Sequence, residues 1–143
     1  MMISRQGGVN IGIMSSDSMF FWDQYDLLKM PREPWEFIQL GNCGSPLETS
    51  EGWLLITHAV GPFRKYVISA CLLDINNPAK VVGTLKEPLI VPEKSEREGY
   101  VPNVVYSCGS ILHNGRVIIP YAMSDSSTGF AGIKLSELLE RME

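Results

Sequence analysis

An all-β chain of antiparallel sheet is what this sequence predicts, and three features predict it. Short apolar runs recur between Gly and Pro punctuation, one pair of runs is joined by Asn114-Gly115, and helical periodicity is confined to the C-terminal stretch. Trp53 to Val60 (WLLITHAV) lies between Glu51-Gly52 and Gly61-Pro62. Tyr66 to Leu73 (YVISACLL) follows within a few residues, so the two read as a hairpin. Val81-Val82 and Leu89 to Val91 are shorter runs, punctuated by Gly83, Pro88 and Pro92. Val104 to Leu112 and Arg116 to Ala122 flank Asn114-Gly115, the pair that best tolerates the two positive φ angles of a type I′ hairpin turn. Pro120 lacks a backbone donor, which places its strand at an edge or interrupts it there. Tyr25 to Met30 has room for one helical turn before Pro31 and Pro34 stop it. Ile133 to Glu143 sets Leu135, Leu138, Leu139 and Met142 at helical spacing, with Ser136 as a cap, and predicts a short amphipathic C-terminal helix. Many strands with little helix between them fit a sandwich, a barrel or propeller blades. A strand hairpin followed by an apolar-Pro segment recurs loosely, as degenerate blades would.

Length and composition narrow the function classes. The 143 residues are 45% hydrophobic and 20% charged, the profile of a packed chain of one-domain length. A net charge of -4 and the lack of any Lys/Arg cluster longer than two argue against a nucleic-acid partner. No apolar stretch approaches the roughly 20 residues that cross a bilayer. Met1 to Asn10 has no apolar signal-peptide core, so no membrane partner and a cytoplasmic location are expected. Cys43, Cys71 and Cys108 form no CxxC pair, so neither a metal site nor a disulfide framework is expected, and small buried thiols are. Lys94 to Glu98 (KSERE) reads as a solvated loop.

Several side chains could carry chemistry, each with a plainer alternative. His58 shares a strand face with Leu54, Ile56 and Val60, as a hydrogen-bonded core histidine does. It also ends its strand beside Arg64-Lys65, where an imidazole and two cations suit an anion such as phosphate, although a solvated hairpin tip explains the same pair. Asp125, within MSDSSTG, is either an Asx-turn carboxylate or an acceptor for sugar hydroxyls at the mouth of a β-structure. Trp22, Trp35, Tyr100, Tyr106 and Tyr121 lie near turns or Pro, as core aromatics or as half-exposed rings for the apolar faces of sugars. No GxGxxG, P-loop, HExxH or GxSxG pattern is present.

Ordered segments add a family. Trp35 to Pro46 (WEFIQLGNCGSP), Glu51 to Val60 (EGWLLITHAV), Ala70 to Pro78 (ACLLDINNP), Glu87 to Pro92 (EPLIVP), Gly99 to Gly109 (GYVPNVVYSCG) and Tyr121 to Asp125 (YAMSD) occur in sequence. Together they resemble the C-terminal half of glycoside hydrolase family 130, five-bladed β-propellers dominated by inverting phosphorylases of β-mannosides. The resemblance implies roughly half of such a propeller, with antiparallel blades and a short C-terminal helix, and residues 1–143 as a single incomplete domain. It implies that His58, Asp125, Tyr100 and Asn103 bind substrate, and that Arg64, Lys65 and Tyr66, in the loop after the histidine, contact phosphate. The co-substrate is inorganic phosphate, no other cofactor is expected, and the partner is a mannose-containing oligosaccharide. Gly41 to Pro46 matches a glycine-rich turn facing the pocket, but Gln39 stands where many members carry a lysine. The family's general acid lies in an Asp-Pro-Arg-like motif that these residues do not contain. The resemblance therefore implies no catalytic residue here and a chain inactive alone. Alternatives are a fragment of a phosphate-independent β-mannosidase, or a mannoside-binding or structural remnant. An open propeller edge also predicts a homo-oligomer that covers it.

Overall fold

The computed structural model describes all of residues 1–143. Three antiparallel sheets follow one another along the chain. The first holds β1 (Met2–Ser4), β2 (Ile11–Ser15) and β3 (Gln24–Lys29) in that spatial order. The second holds β4 (Gln39–Asn42), β5 (Leu47–Thr49), β6 (Gly52–Val60), β7 (Tyr66–Leu73) and β8 (Val81–Thr84). The third holds β9 (Val105–Tyr106), β10 (Ile111–His113), β11 (Arg116–Met123) and β12 (Ser127–Lys134), and ends in α1 (Leu135–Glu140). Sheets two and three share a plan. Two short strands lie in line against one long strand (β4 and β5 on β6, β9 and β10 on β11), and the long strand then turns back as a hairpin.

The hairpins follow the chain's turn chemistry. Strands β6 and β7 pair from Trp53↔Leu73 to Val60↔Tyr66, with Gly61 to Lys65 as the connection. Asn114 and Gly115 sit at φ 48° and 71° between β10 and β11, the left-handed pair a type I′ turn requires. Strand β11 is neither an edge strand nor interrupted: it runs unbroken through Pro120 in the middle of its sheet, and the missing N–H is accommodated by a gap in the pairing on one side. Pro120 pairs with Phe130 of β12, but its other side falls in the gap between the residues paired to β10 and those paired to β9. That gap breaks the run Val104 to Leu112 into two short strands, and Ser107 Oγ donates to the Pro120 carbonyl across it (2.7 Å).

Alternation along β6 and β7 builds two cores. Leu55 and Ala59 face the first sheet and pack with Ile11, Ile13, Leu28, Leu40, Val67, Cys71 and Leu73. Leu54 and Ile56 face the third and pack with Ile68, Ala70, Leu72, Val105, Val117, Ile119 and Leu138. The second sheet is therefore buried on both faces, and each Leu or Ile so enclosed contributes roughly 1.5–3 kcal/mol. A buried ion pair ties the entry of this sheet to the first one. Lys29 Nζ donates to Glu36 Oε1 (2.5 Å), while the Arg32 and Glu33 N–H groups donate to Oε2 (2.8 and 3.2 Å).

Two expectations are corrected. Tyr25 to Met30 holds no helical turn: residues 24–29 are β3, paired with β2 from Ser15↔Gln24 to Ile11↔Lys29. A neighbouring strand satisfies every second backbone group there, and one isolated turn could not compete. The C-terminal helix covers Leu135–Glu140 rather than Ile133 to Glu143, because Ile133 and Lys134 stay paired to Val117 and Arg116. Lys134 occupies the N-cap position without a side-chain bond, so Ser136 lies inside the helix and caps nothing. Met142 leaves the helix and bridges to Leu85. No helix is long and apolar enough to cross a membrane.

Candidate functional site

The β4–β6 ladder builds the site. Gly41 lies directly opposite His58, and Cys43 is two residues along on the same face. A glycine is required at that position. A Cβ on Gly41 would stand 2.3 Å from His58 Cε1 and 2.7 Å from Nε2, so only a bare backbone lets the ring lie across β4. The ring then reaches the diagonal neighbour, with Cys43 Sγ 3.8 Å from His58 Nδ1. Aromatic rings close the other sides. Tyr66 of β7 stacks at 13° with centroids 6.3 Å apart, and Tyr106 of β9 tilts at 60° with centroids 5.1 Å apart.

Around this ring is a cleft of about 350 Å³, walled by Arg5, Gln39, Gly41, Asn42, His58, Tyr66 and Tyr106. Its walls come from all three sheets, and no carboxylate is among them. Arg5 follows β1 and precedes Gly7 and Gly8, whose φ of 72° and 77° make the tight turn back into β2. It belongs to none of the three ion pairs in the chain. Burial pushes the His58 imidazole down to about 4, the nearby Arg5 charge acts in the same direction, and the Asn42 backbone carbonyl opposes both. His58 is thus a neutral ring at pH 7. Burial pushes the Cys43 thiol up to about 12, against a backbone hydrogen bond from Ser107, so the sulfur keeps its proton. A cation, two amide side chains, an imidazole and two phenols around a small cavity form a set of hydrogen-bond donors suited to an anion.

The model of the Glyco_hydro_130 family, described as beta-1,4-mannooligosaccharide phosphorylase, matches residues 9–143. The chain belongs to glycoside hydrolase family 130. Among its family relatives, a 1,2-beta-oligomannan phosphorylase of Thermoanaerobacter sp. (strain X514) is 37% identical over 131 residues, which cover 90% of this chain and 44% of that protein. The structure of a beta-1,2-mannobiose phosphorylase from Listeria innocua, in complex with beta-1,2-mannobiose, superposes with a TM-score of 0.85 at 30% identity, covering 96% of this chain and 40% of that one. A glycosyl hydrolase from Bacteroides ovatus shares the fold, with a TM-score of 0.69 at 21% identity over 91% of this chain and 41% of its own. The chain spans less than half the length of the family 130 relatives it matches. Its three sheets are part of the family's β-propeller.

Of the residues singled out in the sequence, His58 and Tyr66 meet in the cleft. Tyr106, Gln39 and Gly41, also singled out there, line it with them, whereas the other expected substrate and phosphate contacts do not. Arg64 is exposed at φ 55° in the β6–β7 connection, next to Phe63 at φ 59° and 98% exposed, and Lys65 is half-buried. Asn103, at φ 62°, accepts from the Tyr66 N–H through its backbone carbonyl (3.1 Å), which ties its loop to the rim. Asp125 is exposed at φ 52° in the β11–β12 turn, which closes by Ser126 N–H donating to the Met123 carbonyl (3.0 Å). Backbone bonds link that turn to the same loop, since Ser124 N–H donates to the Val104 carbonyl and Val101 N–H to the Ser124 carbonyl. Tyr100 is 88% exposed on it. These residues therefore form a rim joined to the cleft by main chain. Arg5 escaped the sequence reading, and Asn42 and Cys43 entered it only within the Gly41 to Pro46 turn, with no role of their own at the site. An arginine two residues before Gly7-Gly8 was the available signal for the first; the roles of the other two needed the register of β4 on β6.

Proposed function

We propose that this chain carries the phosphate seat and part of the mannose seat of a β-mannoside phosphorylase. In the reaction, phosphate attacks the anomeric carbon of a β-mannoside from the face opposite the leaving oxygen, which takes a proton. The products are α-mannose 1-phosphate and a shortened acceptor. The cleft centred on His58 carries the reading: a donor-rich, carboxylate-free cavity at the junction of three sheets, in a chain of this family. Arg5, His58 and Tyr66 would hold the anion, with the Gln39 and Asn42 amides completing its hydrogen bonds. Arg64 and Lys65 stand outside the walls and would act by drawing phosphate toward the rim. Asn103 and Asp125 would take sugar hydroxyls, and Tyr100 an apolar sugar face. No cofactor beyond phosphate is invoked.

These residues contain no Asp-Pro-Arg-like segment to supply the acid, so binding without turnover is the behaviour proposed for the isolated chain. The test is calorimetry with inorganic phosphate and β-mannobioses, beside an assay for mannose 1-phosphate. Phosphate binding that Arg5→Ala abolishes, with no sugar phosphate formed, supports the reading. No phosphate binding, or turnover by the chain alone, overturns it.

Gln39 on the cleft wall favours a second reading. An amide where many members carry a lysine lowers the positive charge facing phosphate, as a hydrolase that uses water would. Release of free mannose regardless of phosphate, by a protein carrying this Gln39 with the acid-bearing portion, would select it. We further infer that a second copy covers the outward faces of the first and third sheets, where Tyr25, Leu27, Ile111 and Phe130 are exposed. Light scattering on dilution tests this, and a monomer at micromolar concentration overturns it.

A further inference from the structure

The Cys43–His58 contact is not needed to form a strand pair, and it is unusual in joining two neutral, buried, ionisable groups. A neutral imidazole carries one proton, on Nδ1 or on Nε2, and the choice decides whether the ring offers the cleft a donor or an acceptor. The partner of the other nitrogen sets that choice. Here the partner of Nδ1 is the Cys43 sulfur at 3.8 Å.

We propose that Cys43 is a positioning residue for His58: its thiol donates to Nδ1, so the single ring proton sits on Nε2 and is presented to an anion in the cleft. The inference rests on the reading of that cleft as a phosphate seat. Two observations support the direction of the bond. Cys43 is 1% exposed in the core between the second and third sheets, where a thiolate is disfavoured and the thiol retains its hydrogen. The one side-chain hydrogen-bond contact of the sulfur is with His58 Nδ1, so that nitrogen is the acceptor available to the thiol hydrogen. Gly41 makes the arrangement sterically possible by leaving the ring room to lie over β4. A tyrosine on each flank, Tyr66 and Tyr106, limits rotation away from it. A ring with the proton on Nδ1 would instead aim a lone pair at phosphate and repel it.

The test needs no catalysis. In the 143-residue chain labelled with ¹⁵N-histidine, two-bond proton–nitrogen correlations identify the tautomer of His58 at pH 7, with exposed His113 as an internal reference. The expected spectrum has Nδ1 unprotonated and Nε2 protonated. A proton on Nδ1 in the unaltered chain overturns the proposal outright. Cys43→Ser keeps a donor and should preserve the tautomer. Cys43→Ala should mix the two forms and weaken inorganic phosphate binding about tenfold, the worth of one hydrogen bond. An unchanged tautomer in Cys43→Ala also overturns it. If Cys43→Ala does not fold, the unaltered chain and Cys43→Ser still decide. If phosphate fails to shift the His58 signals while the tautomer responds to Cys43, the phosphate seat is refuted and the role of Cys43 in fixing the ring is upheld.

Discussion

Sheets two and three are built alike but enclosed differently, and the difference locates both stability and function. Strand β6 is buried from Leu54 to Val60, on both faces, because it stands between two other sheets. Strand β11 buries Val117 and Ile119 on one face and turns Arg116, Ile118 and Pro120 away. Strand β12 has no fully buried residue and alternates exposed with half-buried ones from Thr128 onward. Same plan, different surroundings: the doubly covered sheet can hold a neutral histidine in a low-dielectric place, whereas a singly covered one could not shift it.

The strongest test of that contrast is a pair of truncations. Leu55→Ala, on the β6 face toward the first sheet, should cost about 3 kcal/mol in urea unfolding, since a fully enclosed side chain leaves a cavity. Ile118→Ala, on the outward face of β11, should cost under about 1 kcal/mol. Equal losses would mean that the outward face of the third sheet is itself covered, as association with a second copy requires.

Next in size is the pH response. The unfolded chain protonates a histidine near 6.5, whereas folded His58 does so only at about 4. As pH falls from 6.5 toward 4 the unfolded state takes the proton first, so stability present above 6.5 drains away, by roughly 2–3 kcal/mol. His58→Gln should flatten that part of the profile measured by chemical denaturation from pH 4 to 8. Bound phosphate should raise the His58 value by offsetting Arg5, and so reduce the loss.

The same contrast explains what could be read from the sequence. The β6–β7 hairpin and the Asn114-Gly115 turn were legible because turn chemistry is local, and so was the apolar character of β6, although its burial on two faces was not read from it. Strands β1 to β3 were not read, since Met2–Ser4 is too short to show a period and the alternation of Gln24–Lys29 lasts only to Leu27, before Leu28 breaks it and Pro31 follows. The site divided the same way. His58 stood out as a strand-end histidine and Tyr66 followed it, but the Cys43 contact depends on a pairing register that no single strand displays. Arg64 and Lys65 drew attention by sequence proximity to His58. The backbone between them and the histidine turns at positive φ, at Phe63 and Arg64, and leaves the Arg64 side chain exposed beyond the walls.

Gly41→Ala should have a smaller effect on stability, about 1–2 kcal/mol, than on the site. The new Cβ must displace the imidazole, because the clashing atoms belong to the ring rather than to a yielding chain end. The ring leaves Cys43 when it moves, so phosphate binding should fall at least as far as in Cys43→Ala. Retention of both the tautomer and the affinity in this variant would show that the ring has a second seat.

The smallest expected change separates folding from association. Phe130 on β12 is 80% exposed, and its partner across the ladder is Pro120. Phe130→Ser removes little that the monomer buries, so unfolding at high dilution should move by less than about 0.5 kcal/mol. The same substitution takes a large ring out of any surface that a second copy covers, where aromatic anchors carry much of the binding. Dissociation on dilution should therefore begin at higher concentration, as read by sedimentation. A variant that dissociates no more readily than the unaltered chain would place the contact elsewhere, on the first sheet around Tyr25 and Leu27. A variant that loses stability even as a monomer would show that Phe130 packs within its own chain and is not free for a partner.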